Sequence, residues 1–128
     1  RPLYYGELHM PCHNFTGPGT VMNEYTEQYT PFNDIDNCSK IHDLAYNNIK
    51  NMKDLNSEKK AELVKQADED ALVCYDRFKN QNGYKEASLG INTKVSLDKL
   101  LSMIKGKHST VYGGAHNKNK LFKKIVVY

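Results

Sequence analysis

The apolar residues of the chain fall into two stretches of helical period separated by a polar break. From Ile35 onward, Ile35, Cys38, Ile41, Ala45, Ile49 and Met52 recur at steps of three and four, the spacing at which side chains share one face of an α-helix. Asp34, just before them, is the expected N-cap. The segment DLNS (54–57) interrupts the pattern. Ser57 or Asn56 is then placed to cap a second helix, whose Val64, Ala67, Ala71, Tyr75 and Phe78 form one stripe ending near NQNG (80–83). A third, shorter helix is expected around VSLDKLLSMI (95–104), and the terminal LFKKIVVY (121–128) reads as a short strand. Residues 1–34 are rich in Gly, Pro, Asn, Thr and Tyr and read as loop, with TGPGT (16–20) as the sharpest turn signal. The pattern predicts a mainly α domain built around one antiparallel helical hairpin.

Composition adds little to that picture until charge is divided along the chain. A length of 128 residues suits one domain with a real core. Residues 1–40 carry two basic and five acidic side chains, residues 41–90 eight and nine, and residues 91–128 eight and one. The net charge of +3 is therefore supplied by the C-terminal part. Such a tail suits phosphates of lipid or nucleic acid, or an import signal, or plain solvation. No apolar run approaches the ~20 residues needed to cross a bilayer, and the first residues lack the apolar stretch of a signal peptide. The chain begins at Arg1, as a processed product or an excised piece would. Three cysteines, Cys12, Cys38 and Cys74, allow at most one internal bridge and lack the paired spacing of a structural zinc site. Tyrosine is abundant and tryptophan absent. Tyr4, Tyr5 and Tyr25 are expected mainly to pack, with a lipid interface as the other role.

The second helix directs one carboxylate inward. In ADEDA (67–71) Asp68 lies on the apolar stripe and Asp70 is rotated away from it. An unpaired buried carboxylate is costly, so Asp68 needs a partner. In an antiparallel hairpin turning near residue 55, position 42 faces 68, 46 faces 64, and 38 comes within about one turn of 74. His42 can thus meet Asp68, which would hold one ring nitrogen and leave the other as a base; alternatively the two simply satisfy each other in a core. Asp43 projects beside the pair. With FTGPGT (15–20) before it, Asp43 suggests a hard cation, because glycines let backbone carbonyls turn toward Ca²⁺, which takes six to eight oxygen ligands. His9, His13, His108 and His116 are better explained by loop hydrogen bonds or exposure than by metal binding.

HNFTGPGT (13–20), IHDLAY (41–46) and ADEDALVCY (67–75) together resemble secreted phospholipase A2, and especially the phospholipase A2-like domain of the minor capsid protein of parvoviruses, over about residues 8–80. The resemblance implies a core of two long antiparallel helices preceded by a calcium-binding loop, with residues 1–90 as the catalytic domain and 91–128 as a basic, partly helical extension. It implies Ca²⁺ as cofactor, held by the backbone carbonyls of Phe15, Gly17 and Gly19 and by the carboxylate of Asp43. His42 would be the base, Asp68 would orient it, Tyr46 would donate a hydrogen bond to Asp68, and the Gly17 N–H would help stabilise the oxyanion. Cys38 and Cys74 stand at the positions that secreted members bridge, while Thr16 and Ser39 stand where a second bridge would join loop and helix. That departure, and the absence of the usual N-terminal helix, favour the viral branch.

The implied activity is hydrolysis of the sn-2 ester of glycerophospholipids, for breach of a membrane by a virus. Its partner is a phospholipid membrane, approached without a transmembrane segment, and nucleic acid is not an expected partner. The expected location is the virion, as part of a larger capsid protein, with secretion as the alternative. Two other readings compete. One is an inactive lipid-binding domain of the same fold. The other is an HD-type phosphohydrolase that gathers His13, His42, Asp43 and Asp68 on one metal.

Overall fold

The computed structural model describes residues 1–108, with side chains described through residue 104. The terminal segment read as a strand lies outside the described residues. Three helices follow a long N-terminal loop: α1 (Asp34–Lys50), α2 (Ser57–Asp76) and α3 (Tyr84–His108). Each predicted helix exists, and a limit of each differs from the sequence pattern.

The N-cap of α1 is Asn33, whose side chain accepts the Asp36 N–H. Asp34 sits one residue inside, where its carboxylate takes the Gln81 amide at 2.6 Å and its own N–H donates to the Gln81 side-chain oxygen at 2.9 Å. Asn56 caps α2 by accepting the Lys59 N–H at 2.8 Å. Phe78 lies beyond the end of α2, in the turns that lead to α3.

α3 is longer than the apolar pattern indicated, running unbroken across residue 90. Its first half packs inward: Ala87 and Ile91 join Ile35, Cys38, Ala71 and Tyr75 in one buried cluster, with Leu72, Phe78 and Val95 against it. The second half, from which the helix was predicted, instead exposes Leu100, Met103 and Ile104.

α1 buries two stripes. Ile35, Cys38, His42 and Ile49 face the other helices, whereas Asp36, Ser39 and Asp43 form a polar stripe. The polar stripe faces the N-terminal loop: Asp36 accepts the backbone N–H groups of Asn14, Phe15 and Phe32 and the Thr16 hydroxyl, each at 2.8–2.9 Å. With its proton on Asp36, Thr16 Oγ1 is left to accept from the Ser39 hydroxyl 2.9 Å away, and Ser39 Oγ lies 2.7 Å from the Tyr75 hydroxyl. A chain of buried hydrogen bonds therefore ties loop to α1 and α2 at the two positions where a second disulfide was expected to be missing. Cys38 and Cys74 are bridged, with Cα atoms 5.8 Å apart, and Cys12 is free and exposed.

Candidate active site

His42 and Asp43 are helix neighbours about 100° apart, and the two stripes of α1 explain how both serve one place. His42 faces α2, where its Nε2 lies 2.6 Å from Asp68 Oδ1, and both side chains are almost wholly buried. Its Nδ1 lies on the other side, 3.5 Å from Asp43 Oδ1. A carboxylate at Nε2 fixes the tautomer with the proton there and makes Nδ1 the basic nitrogen. Burial opposes the charged imidazolium, but the nearby Asp43 carboxylate and the hydrogen-bonded Asp68 outweigh it and push His42 up to about 9.

The second oxygen of Asp68 is occupied by Lys94 of α3. Lys94 Nζ donates to Asp68 Oδ2 at 2.7 Å and to Asp98 Oδ2 at 3.0 Å, and its side chain is 4% exposed. Burial works against its charge, but Asp68 and then Asp98 more than compensate, so its pKa is raised. The hydrogen bond expected from Tyr46 is thus replaced: among the described residues Asp68 is bonded by His42 and Lys94, and the Tyr46 ring instead lies beside Lys94, 5.9 Å from Nζ. The physical reason is charge. A buried ammonium competes better than a phenol for a carboxylate oxygen.

Asp43 is buried, and among the described residues neither of its oxygens accepts a hydrogen bond. Burial pushes its carboxyl up to about 6. The His42 imidazole and the Thr20 hydroxyl hold it down in part, and the charge of Asp36 pushes it further. Facing it is the glycine loop. The Thr16 and Pro18 carbonyls turn away from the site to accept the N–H groups of Met10 and Leu8 at 2.8 and 3.0 Å. The alternate carbonyls, Phe15 and Gly17, converge on the Thr20 hydroxyl at 3.3 and 2.9 Å. Gly17 has φ 152°, and a Cβ there would collide with the Leu8 carbonyl; Gly19 has φ 76°. These two positions need glycine. An orphaned buried carboxylate beside converging carbonyls is an all-oxygen donor set, which fits a hard cation such as Ca²⁺. The Phe15 and Gly17 carbonyls meet at the Thr20 hydroxyl, which also acts on Asp43, and Gly19 lies in the same turn.

The phosphohydrolase set does not assemble. His13 is held in the loop, its ring nitrogens 3.1 Å from the Pro11 carbonyl and 3.2 Å from the Asn82 carbonyl. Among the described residues no three His, Cys, Asp or Glu side chains converge as a metal-binding group. His9 likewise makes a loop contact, with Nε2 3.2 Å from Thr20 Oγ1. A cavity of about 70 Å³ between α1 and α2 is lined by His42 with Ile41, Ala45, Ala67 and Asp70. A larger groove, about 480 Å³, runs along the N-terminal loop past Leu3, Tyr4, Tyr25 and Tyr29 and contains neither His42 nor Asp68. Tyr4, Tyr5 and Tyr25 do not pack inward as expected; all three are exposed, Tyr5 fully.

Two buried partners were missed by sequence reasoning. Lys94 carried no signal, because a lysine in a helix reads as solvent-facing. Asp36 did carry one: Asp36, Ser39 and Asp43 recur at three and four, a polar stripe of helical period.

A helical hairpin with a buried His–Asp pair beside a carbonyl-lined glycine loop defines a protein of phospholipase A2 architecture. The family described as phospholipase A2-like domain matches residues 6–88, and the chain belongs to that family. No curated protein and no solved structure matches the chain.

Proposed function

We propose that this chain is a calcium-dependent phospholipase A2 that hydrolyses the sn-2 ester of glycerophospholipids. The observation that carries the reading is the single stretch of α1 that sets His42 against Asp68 on one side and an unbonded, buried Asp43 carboxylate on the other. Phe15, Gly17 and Gly19 would hold calcium through their carbonyls, and Asp43 through its carboxylate. When bound, calcium supplies Lewis-acid polarisation of the ester carbonyl and a counter-charge for the lipid phosphate.

The remaining work falls to the chain. His42 keeps its Nε2 proton directed at Asp68, and Nδ1 takes a proton from the water that attacks the sn-2 carbonyl carbon. Asp68 stabilises the imidazolium so formed, which then returns the proton to the departing alkoxide of the lysophospholipid. The Gly17 N–H is assigned to the oxyanion. Exposed Ile41 beside the His42 cavity, and the exposed tyrosines of the loop, suit contact with a lipid surface. No described helix is long and apolar enough to cross a membrane, so contact with the bilayer is assigned to these surface groups.

The biological setting we favour is membrane breach by a virus, with this domain carried in a larger capsid protein and secretion as the alternative. The support is the hydrogen-bonded Thr16–Ser39 pair, which stands where secreted members place a second bridge. Fatty-acid release from phosphatidylcholine vesicles, with calcium and with chelator, tests the activity. Release only with calcium is the expected result, and no release under either condition would favour the inactive lipid-binding alternative.

A further inference from the structure

Lys94 is a buried cation that the proposed reaction does not explicitly require, and it lies beyond residue 88, where the family match ends. Its amine spans 2.7 Å to Asp68 and 3.0 Å to Asp98, with the Tyr46 ring alongside. Asp68 itself bonds His42 through its other oxygen at 2.6 Å. One carboxylate is therefore gripped at both oxygens by groups from two different helices. We propose that Lys94 is a positioning residue of the active site, acting through Asp68 to fix the plane of its carboxylate and thereby the orientation of His42, so that α3 is part of the catalytic unit. The inference rests on the phospholipase reading for its kinetic arm only.

A carboxylate held at one oxygen can turn about its last side-chain torsion, which is broad. Held at both, it presents one lone pair to Nε2. A buried carboxylate paired only with a neutral imidazole would also keep most of its desolvation penalty, which the Lys94 ammonium offsets. Asp98, one turn on from Lys94 in α3, aims the lysine inward. Partners that orient metal-ligating side chains typically change activity on the order of 10–100-fold when removed, and the same scale is taken for a partner that orients Asp68.

The test uses the full chain and four forms: wild type, Lys94→Met, Asp68→Asn and the double variant. Lys94→Met should lower kcat on phosphatidylcholine vesicles by about 10–100-fold and leave KM within about two-fold. If Lys94 acts through Asp68, the double variant should be no slower than Asp68→Asn alone, because interacting sites are non-additive. Lys94→Arg, which keeps charge and donors, should recover most of the loss. A second readout needs no turnover. The His42 Nε2 proton, shielded from exchange by its bond to Asp68, should give a sharp downfield NMR signal that Lys94→Met broadens or removes.

Lys94→Met with kcat near wild type and an intact Nε2 signal would overturn the proposal, as would losses that multiply in the double variant. Should Lys94→Met fail to fold because it strands a buried charge, the double variant removes that charge and Lys94→Arg keeps it paired. The proposal then stands only if both fold, with the double variant matching Asp68→Asn and Lys94→Arg keeping the signal. A wild-type protein that releases no fatty acid would defeat the phospholipase reading, while the NMR comparison would still decide the role of Lys94.

Discussion

His42 stands between two carboxylates, Asp68 at 2.6 Å and Asp43 at 3.5 Å, and its acid–base behaviour follows from that. Without a cation the pair holds a proton on the ring up to about 9. The base is active only when neutral, so without a cation the ring is protonated at neutral pH and cannot take a proton from water. Calcium held by Asp43, as proposed, would repel the same proton. A histidine NMR titration of the calcium-free protein should therefore place His42 well above 6.5, and both calcium and Asp43→Asn should lower it; an ordinary value that neither change moves would contradict the geometry. Asp68 and Asp70 give a second comparison. Asp68→Asn should cut kcat on the order of 10²–10⁴-fold by removing the charge that orients and stabilises the imidazolium. Asp70 lines the His42 cavity but is exposed, and among the described residues it accepts a Gln66 amide at 2.9 Å, so Asp70→Asn should leave kcat within about two-fold, an exposed charge being worth little. Equal losses in the two variants would mean that the face assignment of α2 is wrong.

Elements place these residues through three unlike devices: a disulfide, a carboxylate anchor and a third helix. The Cys38–Cys74 bridge closes a separation of 36 residues, and a loop of that size is worth about 4 kcal/mol in the chain-entropy account. Replacing both cysteines by serine should lower stability by roughly 2–4 kcal/mol in urea unfolding, and a loss near zero would show that the hairpin holds without it. Asp36 is the anchor between α1 and the glycine loop. Asp36→Ala would leave Asn14, Phe15 and Phe32 N–H groups without their acceptor, at roughly 3 kcal/mol or more. It should also weaken calcium binding measured by calorimetry, although Asp36 is assigned no contact with the ion. Unchanged affinity would mean that the loop keeps its shape without the anchor. Ile91 tests α3 in the same way. It is fully buried, so Ile91→Ala should cost about 2–5 kcal/mol, and a loss below about 1 kcal/mol would detach α3 from the core.

Across the whole molecule, the hairpin was legible because two long stretches kept strict helical period and because one acidic residue on an apolar stripe demanded a partner at a calculable level. α3 was legible only in its second half. The Leu100, Met103 and Ile104 that revealed it are exposed, whereas the half that packs shows only Ala87 and Ile91 inward, with Leu89 outward and Gly90 between. Burial of Lys94 depends on where α3 crosses α2, which no local pattern encodes. The exchange of Tyr46 for Lys94 at Asp68 has the same origin. Charge is divided as unevenly as structure: residues 91–128 hold eight basic side chains and one acidic one, beginning within the helix that carries Lys94. His42, Asp68 and the Asp43 loop are proposed to act together in hydrolysing one ester bond of a phospholipid. The most direct test of that proposal is release of fatty acid from vesicles of phosphatidylcholine labelled at the sn-2 chain, with calcium, with magnesium and with chelator, for wild type and His42→Ala. The account predicts release of the sn-2 label by wild type with calcium, little with magnesium, which demands tight octahedral geometry and keeps its waters, and none with chelator or with His42→Ala. Undiminished release in chelator, or by His42→Ala, would contradict it.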